Sequence, residues 1–263
     1  RQMKKEVAGK RIAEIEVKQP KNLNMPVWEF TETTKEKIVS DVAGKGKWLF
    51  IKLAPAYFIL INLGMGAELL YFTPDQKLPE KYHFKLTLSD KTGFTIHFWW
   101  FGYIHLLKEG DLTKHKLTAQ LGISPANGEF TLARFKELLA EKKTGIKNFL
   151  LDQKNVAGIG NVYIQDILFK ARLHPNRKTS TLSEKEIDEL YNAIQSILNR
   201  SIQLGGLAYE KDFYGQKGNF TGDEFLVGYK QGKPCPVCGT TIEKIKTGST
   251  SSYICPKCQA LEI

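Results

Sequence analysis

The residues with the clearest chemical capacity are four cysteines near the C-terminus, the only ones in a chain of 263 residues. They form two C-x2-C pairs, Cys235 with Cys238 and Cys255 with Cys258, separated by sixteen residues. Such pairs place four thiolates in a tetrahedron around one Zn²⁺, and this closed shell leaves no position for a reactive water. The alternative, two disulfides, requires an oxidising compartment, and the N-terminal residues lack the pattern of a signal peptide. The spacing therefore predicts one structural zinc ion in a C-terminal hairpin.

The charge balance indicates the kind of partner. The chain has 38 Lys and Arg against 28 Asp and Glu, a net charge of +10, and its lysines are spread over every segment. A basic surplus favours nucleic acid first and an acidic membrane surface second. Membrane-surface proteins more often concentrate their charge on one amphipathic helix, and no apolar run here approaches membrane-spanning length. We therefore expect a nucleic-acid partner and no membrane.

The secondary-structure elements predicted from the sequence, which must position the candidate residues, indicate an α+β fold. Residues 1–117 are predicted to form a β-sandwich domain, because short apolar runs alternate with turn signals. Ile12–Val17 alternates with period two, and Trp48–Leu53 and Tyr57–Leu63 flank a turn. One helix is predicted near Thr33–Val39.

The second half of the chain changes to helical periodicity. Residues 118–228 are predicted to form a helical domain, and residues 229–263 a zinc finger. The predicted helices include Thr131–Glu141 and Ser183–Leu204, of which the second begins with a capping-box pattern. Residues 211–222 are rich in glycine, polar and aromatic side chains without periodicity, which predicts a mobile loop.

The most specific segment is LDQKNVAGIGNVY at residues 151–163, between two predicted helices. Gly158 and Gly160 allow a tight turn with close backbone approach. Asn161 is predicted to open the next helix, where glycines and free N–H groups can receive a phosphate. The spacing alone leaves open a plain helical hairpin capped by asparagine.

This segment, with the residues that follow it, resembles the helix–two-turn–helix motif of the formamidopyrimidine-DNA glycosylase and endonuclease VIII family. The terminal cysteines with Gln259 resemble the zinc finger of that family. Gly44–Leu49 resembles its lysine hairpin, and Leu63–Gly66 its LGMSG loop. The resemblance runs in order over essentially the whole chain, as for a divergent member.

The resemblance implies a DNA base-excision repair enzyme with glycosylase and AP lyase activities. Such enzymes flip a damaged, typically oxidised base out of duplex DNA, attack the sugar C1′ with an N-terminal proline amine, and cut the strand through a Schiff base. A terminal amine has a pKa near about 8, so much of it is a free nucleophile at neutral pH. We accordingly expect a monomer that binds duplex DNA containing damaged bases or abasic sites, in the cytoplasm at the nucleoid.

The resemblance also implies roles for individual residues. Lys47 is the candidate catalytic residue, near the phosphate and the active site, although a lysine at this turn could equally be a solvated charge. Met65 corresponds to a wedge that fills the space of the flipped nucleotide, and Phe101 to an intercalating aromatic ring. Both could instead belong to the core. Asn161 and Lys154 are the expected phosphate contacts.

Three features depart from the family pattern. The Pro-Glu start that supplies the nucleophile is not present, because Arg1 and its neighbours match the helix that should follow it. We therefore expect further residues before Arg1 in the native protein. Trp100 and Thr250 stand where the family has arginine, and neither can form the bidentate fork of a guanidinium. By position, both remain candidate DNA contacts.

Because of these departures, two other classes of protein stay open. A non-catalytic protein that binds damaged DNA or shapes DNA could retain the DNA clamp without the chemistry. Charge and zinc alone would also fit an RNA-binding zinc-ribbon protein.

Overall fold

The computed structural model describes residues 1–140 and 142–261, which divide into two compact units. The first unit comprises Arg1–Gln120 with Gly206–Asn219, and the second comprises Leu121–Gly205 with the residues from Phe220 onward. None of the helices in the described part of the chain is long and apolar enough to cross a membrane.

Eight antiparallel strands form the centre of the first unit: β1 (Ile12–Val17), β2 (Ile38–Lys45), β3 (Trp48–Ala54), β4 (Tyr57–Asn62), β5 (Glu68–Phe72), β6 (Phe84–Leu88), β7 (Gly93–His97) and β8 (Tyr103–Lys108). They pair into two four-stranded sheets with the orders β1-β6-β7-β5 and β2-β3-β4-β8. Apolar side chains from both sheets share one core, including Ile51, Ile59, Phe84 and Phe94. The predicted β-sandwich is confirmed.

Two α-helices accompany the sheets, α1 (Gln2–Val7) and α2 (Val27–Thr34). The helix expected near Thr33–Val39 is wrong, because α2 ends at Thr34 and β2 begins at Ile38. Glu36 adopts the left-handed region with a φ of 64°, which stops the helix. The β-branched side chains that follow suit a pleated sheet better than a helix.

The second unit contains four α-helices and a hairpin among its described residues: α3 (Leu132–Ala140), α4 (Ile146–Leu151), α5 (Ile164–Lys170), α6 (Glu184–Gln203), β9 (Glu243–Thr247) and β10 (Thr250–Ile254). The helix predicted over residues 131–141 is present, but its expected last residue, Glu141, lies outside the described residues. The capping box at the start of α6 is confirmed, because Ser183 Oγ accepts from the Glu186 N–H and the Glu186 carboxylate accepts from the Ser183 N–H.

The segment expected to be a mobile loop, residues 211–222, has no regular strand or α-helix, but its first part packs against the first unit. Phe213 is buried, and its carbonyl accepts a hydrogen bond from the Tyr71 N–H at 2.8 Å. Lys211 forms an ion pair with Glu68 at 2.7 Å. An aromatic side chain inserted into a core is not visible as periodicity, so the composition alone suggested more freedom than the structure has.

Candidate nucleic-acid interface

The four cysteines converge at the base of the β9–β10 hairpin. Their Sγ atoms all lie within 4.8 Å of one another. Cys235 and Cys258 are 3.8 Å apart, and Cys238 is 3.4 Å from both Cys255 and Cys258. A tetrahedral site with Zn–S bonds of about 2.3 Å needs Sγ separations of about 3.8 Å. The four thiols are free of disulfides, and the arrangement fits structural zinc.

The local backbone supports this geometry. In each C-x2-C turn an N–H group points at the first sulfur, from Val237 to Cys235 and from Cys258 to Cys255, both at 3.4 Å. Gln259 is 1% exposed; its Oε1 accepts from the Cys255 N–H, and its Nε2 donates to the Leu173 carbonyl. This explains why a glutamine follows the last cysteine: it fastens the zinc-binding turn to the helical part of the second unit.

Asn161 lies in a turn before α5. The expectation that Asn161 opens the helix is wrong, because α5 begins at Ile164. The nearly inaccessible Gln165 donates from Nε2 to the Asn161 carbonyl at 2.9 Å and to its Oδ1 at 3.1 Å. With Oδ1 engaged, Nδ2 of Asn161 donates to no described residue and is available to an external acceptor such as a phosphate.

The glycine turn before Asn161 is braced by a side chain that sequence reasoning missed. Gln153 Oε1 accepts from the Gly158 N–H at 2.9 Å, and Gln153 Nε2 donates to the Ile159 carbonyl at 3.0 Å. Gly158 has a φ of 113°, which favours glycine. The N–H group of Gly158 is therefore engaged within the turn, although the sequence predicted that it would be free to bind a phosphate. The N–H group of Gly160 donates to no described residue.

Lys154 follows α4 on the surface. Its backbone N–H donates to Asp152 Oδ1 at 3.0 Å, which fixes the chain in a turn after the helix. The side chain is exposed and forms no ion pair with a described residue. The structure thus leaves its charge available to a ligand.

The hairpin that carries Thr250 is tied to the Asn161 turn. Lys147 is fully buried, and its Nζ donates to the Ser251 carbonyl at 2.6 Å and to Ser252 Oγ at 2.8 Å. Gln165 reaches the same strand, donating to the Ser251 carbonyl and accepting from the Tyr253 N–H. Nothing in the sequence marked Lys147 or Gln165 as important, because their partners are distant along the chain.

The surroundings constrain two side chains at this hairpin, the amine of Lys147 and the hydroxyl of Thr250. Burial lowers the pKa of Lys147 to about 8. Thr250 directs its hydroxyl to the Thr247 carbonyl at 3.3 Å, across the hairpin turn. The structure therefore places Thr250 beside the Asn161 network, but its one hydroxyl proton is already engaged.

Lys47 lies at the tip of the β2–β3 hairpin. Asn62 joins this tip to the following loop, since its Nδ2 donates to the Lys47 carbonyl at 3.1 Å and its Oδ1 accepts from the Gly64 N–H at 2.9 Å. Desolvation lowers the pKa of Lys47. Because the side chain is exposed, we expect the lowering to be small. Asn62 therefore links the β2–β3 hairpin to the loop that contains Gly64. In the sequence these two segments resembled two separate motifs of the family.

Met65, Trp100 and Phe101 are exposed on the first unit. Their exposed fractions are 62, 65 and 75%, so the core alternatives for Met65 and Phe101 are wrong. The Met65 N–H donates to the Trp100 carbonyl at 3.1 Å, which joins the two loops. A Cβ at Gly64 would meet the same carbonyl at 2.3 Å, so this close approach requires glycine. The role of Met65 and Phe101 as a wedge, and that of Trp100 as a DNA contact, stay predictions.

We expect Met65→Ala to leave the fold nearly as stable as before, within about 0.5 kcal/mol, because the side chain contributes little buried area. Met3 is the matched control, since it is 5% exposed in the core of the same unit. Met3→Ala should cost roughly 2–5 kcal/mol. Denaturant unfolding followed by tryptophan fluorescence compares the two. A Met65→Ala loss as large as that of Met3→Ala would show that Met65 is a structural residue.

A domain of two antiparallel sheets, a helix–turn–helix segment and a four-cysteine hairpin together define a class of DNA repair glycosylases, and comparison with known proteins agrees. Three family models match: the formamidopyrimidine-DNA glycosylase N-terminal domain at residues 1–99, its H2TH domain at residues 121–212, and the zinc finger found in FPG and IleRS at residues 232–261. The order of the matches is the order of the elements described above.

Individual relatives cover nearly the whole chain. The formamidopyrimidine-DNA glycosylase of Pelotomaculum thermopropionicum is 36% identical over 270 residues, covering 100% of this chain and 96% of the relative. That of Streptococcus pneumoniae is 32% identical, covering 98% and 95%. The Lactococcus lactis Fpg structure in complex with DNA containing an abasic site has a TM-score of 0.86 at 27% identity, covering 99% of this chain and 96% of that one. The chain belongs to the formamidopyrimidine-DNA glycosylase family, whose members are DNA glycosylases with AP lyase activity.

Proposed function

We propose that this chain excises damaged, principally oxidised, bases from duplex DNA and cleaves the resulting abasic strand through a Schiff base. The observation that carries the proposal is the Asn161 turn. Buried Gln165 fixes the turn and the hairpin strand together, and leaves the Asn161 amide free to donate. Support comes from the similar Lactococcus lactis Fpg, which has been solved with abasic-site DNA and with FAPY-dG DNA, each with a TM-score of 0.86.

Each unit supplies its own contacts in this proposal. Lys47 acts near the reacting sugar and its phosphate, where its positive charge can pair with the phosphate. Met65 and Phe101 fill the space left by the flipped nucleotide, which offsets part of the lost stacking. Lys154 and Asn161 bind phosphate.

We propose the same division into three functional parts that the sequence predicted. Residues 1–117 would carry the catalytic side, residues 118–228 the helix–two-turn–helix segment, and residues 229–263 the zinc finger. We further propose that the protein acts as a monomer inside the cell, associated with the nucleoid. Sedimentation with and without an abasic duplex tests whether the protein is a monomer.

The proposed chemistry is tested by borohydride trapping on an abasic duplex, with the protein carrying its native N-terminus. Reduction of a Schiff base should leave a covalent protein–DNA adduct, and mass spectrometry of the digested adduct should identify the attached residue. Lys47→Gln should lower the trapping rate. Absence of an adduct on both abasic and FAPY-dG duplexes would contradict the lyase and favour a protein that only binds damaged DNA.

The phosphate contacts predict a change in the salt dependence of binding. Each lost phosphate contact should reduce the log–log slope of affinity against salt by about 0.9. Lys47→Gln and Lys154→Gln should each show this change in fluorescence anisotropy titrations. Lys91, at the tip of the β6–β7 hairpin, is a matched control for Lys47 because it carries the same charge at an equivalent turn. Unchanged slopes in both variants would place the phosphate contacts elsewhere.

Thr250 provides a gain-of-function test. An arginine at this position could bridge phosphate oxygens with two parallel hydrogen bonds, which the threonine hydroxyl, engaged with Thr247, does not offer. We expect Thr250→Arg to tighten binding to an abasic duplex by about tenfold, consistent with one charge-assisted hydrogen-bond pair. Thr250→Gln controls for side-chain length without charge. Equal affinities for Thr250→Arg and the unsubstituted protein would show that this position does not meet a phosphate.

A further inference from the structure

Two histidines that the candidate interface does not include face each other within the first unit. His105 lies on β8, and His115 lies ten positions later in the segment that follows this strand. His105 Nδ1 and His115 Nε2 are 2.8 Å apart, and the two ring planes are nearly perpendicular at 86°. The proposed function gives no role to these two residues, which we call the histidine pair.

The facing nitrogens of the histidine pair have the spacing of metal ligands. Between two neutral rings only one of the facing nitrogens carries a hydrogen, so the other presents a lone pair. Two metal–nitrogen bonds of about 2.05 Å at a right angle place their nitrogens about 2.9 Å apart, whereas a tetrahedral angle requires about 3.3 Å. A rotation of the rings about their side-chain bonds would direct both lone pairs at one ion. The separation favours square-planar or octahedral coordination, which with nitrogen and oxygen ligands is typical of Ni²⁺ and Cu²⁺.

A buried hydroxyl supports His115 from behind. Thr118 is 7% exposed, and its Oγ1 lies 2.7 Å from His115 Nδ1. A hydroxyl that accepts the Nδ1 hydrogen leaves the Nε2 lone pair directed at His105. Metal-binding histidines are commonly held by such a hydrogen bond to the second ring nitrogen. The Thr118 N–H also donates to the His115 carbonyl at 3.2 Å, which fixes the hydroxyl beside the ring.

The surroundings of the histidine pair favour neutral rings. Trp48 packs against both, with ring centroids 6.2 Å from His105 and 5.8 Å from His115. Desolvation lowers the pKa of both histidines, and the proximity of His115 lowers that of His105 further, to about 4. Neutral imidazole is the form that binds metal ions. Protons therefore compete little with an ion at neutral pH.

A cavity of about 750 Å³ opens the histidine pair to solvent. Its lining includes both histidines, Asn24, Asp111, Lys114 and Lys116. The Asn24 amide is engaged, because it donates to the Leu106 carbonyl and accepts from the Leu106 N–H. Asp111 forms an ion pair with Lys114 at 3.2 Å, and both lysines are exposed, so that solvent screens their charges. The cavity thus supplies space for water molecules that complete the coordination of an ion.

We propose that the histidine pair is a second metal site, which binds one divalent transition-metal ion of the Ni²⁺ and Cu²⁺ class per chain. It differs from the four-cysteine site in ligand chemistry, since thiolates select Zn²⁺ whereas imidazole and water suit Ni²⁺ and Cu²⁺. The proposal goes beyond the proposed function and does not depend on it, because neither histidine is among the proposed DNA contacts.

The test is calorimetric titration of the zinc-loaded protein with Ni²⁺, which, unlike Cu²⁺, does not oxidise the thiols of the finger. One Ni²⁺ ion per chain should bind while the zinc content stays constant. His105→Gln and His115→Gln should each weaken Ni²⁺ binding at least tenfold, because even the loss of a supporting hydrogen bond at a metal site typically costs about 10–100-fold. Thr118→Val, which keeps the shape of the side chain without its hydroxyl, should weaken binding by about tenfold.

A second measurement locates the ion without changing a histidine. Bound Ni²⁺ is paramagnetic and should quench the fluorescence of Trp48, whose ring contacts both members of the histidine pair. The quenching that accompanies binding should be lost in Trp48→Phe, although the ion still binds.

His97→Gln is the matched control, since the His97 ring also lies against another histidine ring, with its centroid 4.7 Å from that of His83. It should bind Ni²⁺ like the unsubstituted protein. The second metal site would be overturned by absence of binding, by zinc release in proportion to the nickel bound, by binding that survives both substitutions in the histidine pair, or by quenching that persists in Trp48→Phe. The proposed function would stand after each of these results, because borohydride trapping tests it separately.

Discussion

Replacing Cys238 with serine should remove the zinc ion and most of the affinity for DNA. Serine is not a thiolate, and three remaining cysteines do not close a tetrahedral shell. Structural zinc in small fingers contributes about 10–16 kcal/mol of apparent binding free energy, so its loss should disorder the hairpin that carries Thr250. We expect zinc content to fall from one ion per chain to nearly none, and affinity for an abasic duplex to fall at least tenfold.

The same substitution should leave the first unit folded. All four tryptophans, Trp28, Trp48, Trp99 and Trp100, lie in that unit, so tryptophan fluorescence reports its unfolding without a contribution from the finger. The fluorescence transition of Cys238→Ser should therefore coincide with that of the unsubstituted protein. Zinc content is measured by a chromogenic chelator after denaturation.

Val237→Ser is the matched control for this prediction. Val237 lies in the same turn as Cys238, is 63% exposed and supplies no sulfur. It should retain one zinc ion and full affinity. Purified protein that contains no zinc and two disulfides by mass, or a Cys238→Ser variant that keeps zinc and DNA binding, would contradict the structural role of the metal.

The sequence predicted those parts of the fold that rest on local patterns. The strands of the sandwich, the capping box at Ser183 and the C-x2-C turns each depend on residues within a few positions of one another. The misplaced helix near Thr33–Val39 shows the limit of such patterns. A left-handed Glu36 separates helix from strand there, and no propensity scale marks that one residue.

The candidate site depends on contacts between distant residues, which local sequence patterns do not reveal. Lys147 contacts Ser251 across 104 positions, and Gln165 contacts Tyr253 across 88. Hydrogen bonds between such distant residues have no periodic signature, so these two buried side chains went unnoticed. The sequence also left Met65 and Phe101 undecided between core and surface, because a run of aromatic residues suits either until the backbone conformation is known.

Lys147 gives rise to a second large effect, which depends on pH. Burial lowers the pKa of Lys147 from 10.5 to about 8 in the folded state, whereas the unfolded chain keeps the ordinary value. Between these values the unfolded state binds more protons, so the free energy of unfolding rises with pH. The contribution is fully present above about pH 10.5 and is lost as the pH falls through about 8. At 1.36 kcal/mol per pKa unit it amounts to about 3 kcal/mol.

We therefore expect the difference in unfolding free energy between the unsubstituted protein and Lys147→Met to increase by up to about 3 kcal/mol from pH 8 to 10.5. Methionine fills similar space without a titrating group, so the changes common to both proteins cancel in the difference. Far-UV circular dichroism follows the unfolding of both proteins, since the long helix α6 lies in the same unit as Lys147.

Lys143→Met is the control, because Lys143 is an exposed lysine four residues before Lys147 and its removal costs the same charge. Its difference from the unsubstituted protein should stay flat over the same pH range. A flat or falling difference for Lys147→Met would mean that the buried amine stays protonated in the folded state. Lys147 would then hold Ser251 and Ser252 as an ammonium ion, and the hairpin would depend on a buried charge rather than on a neutral amine.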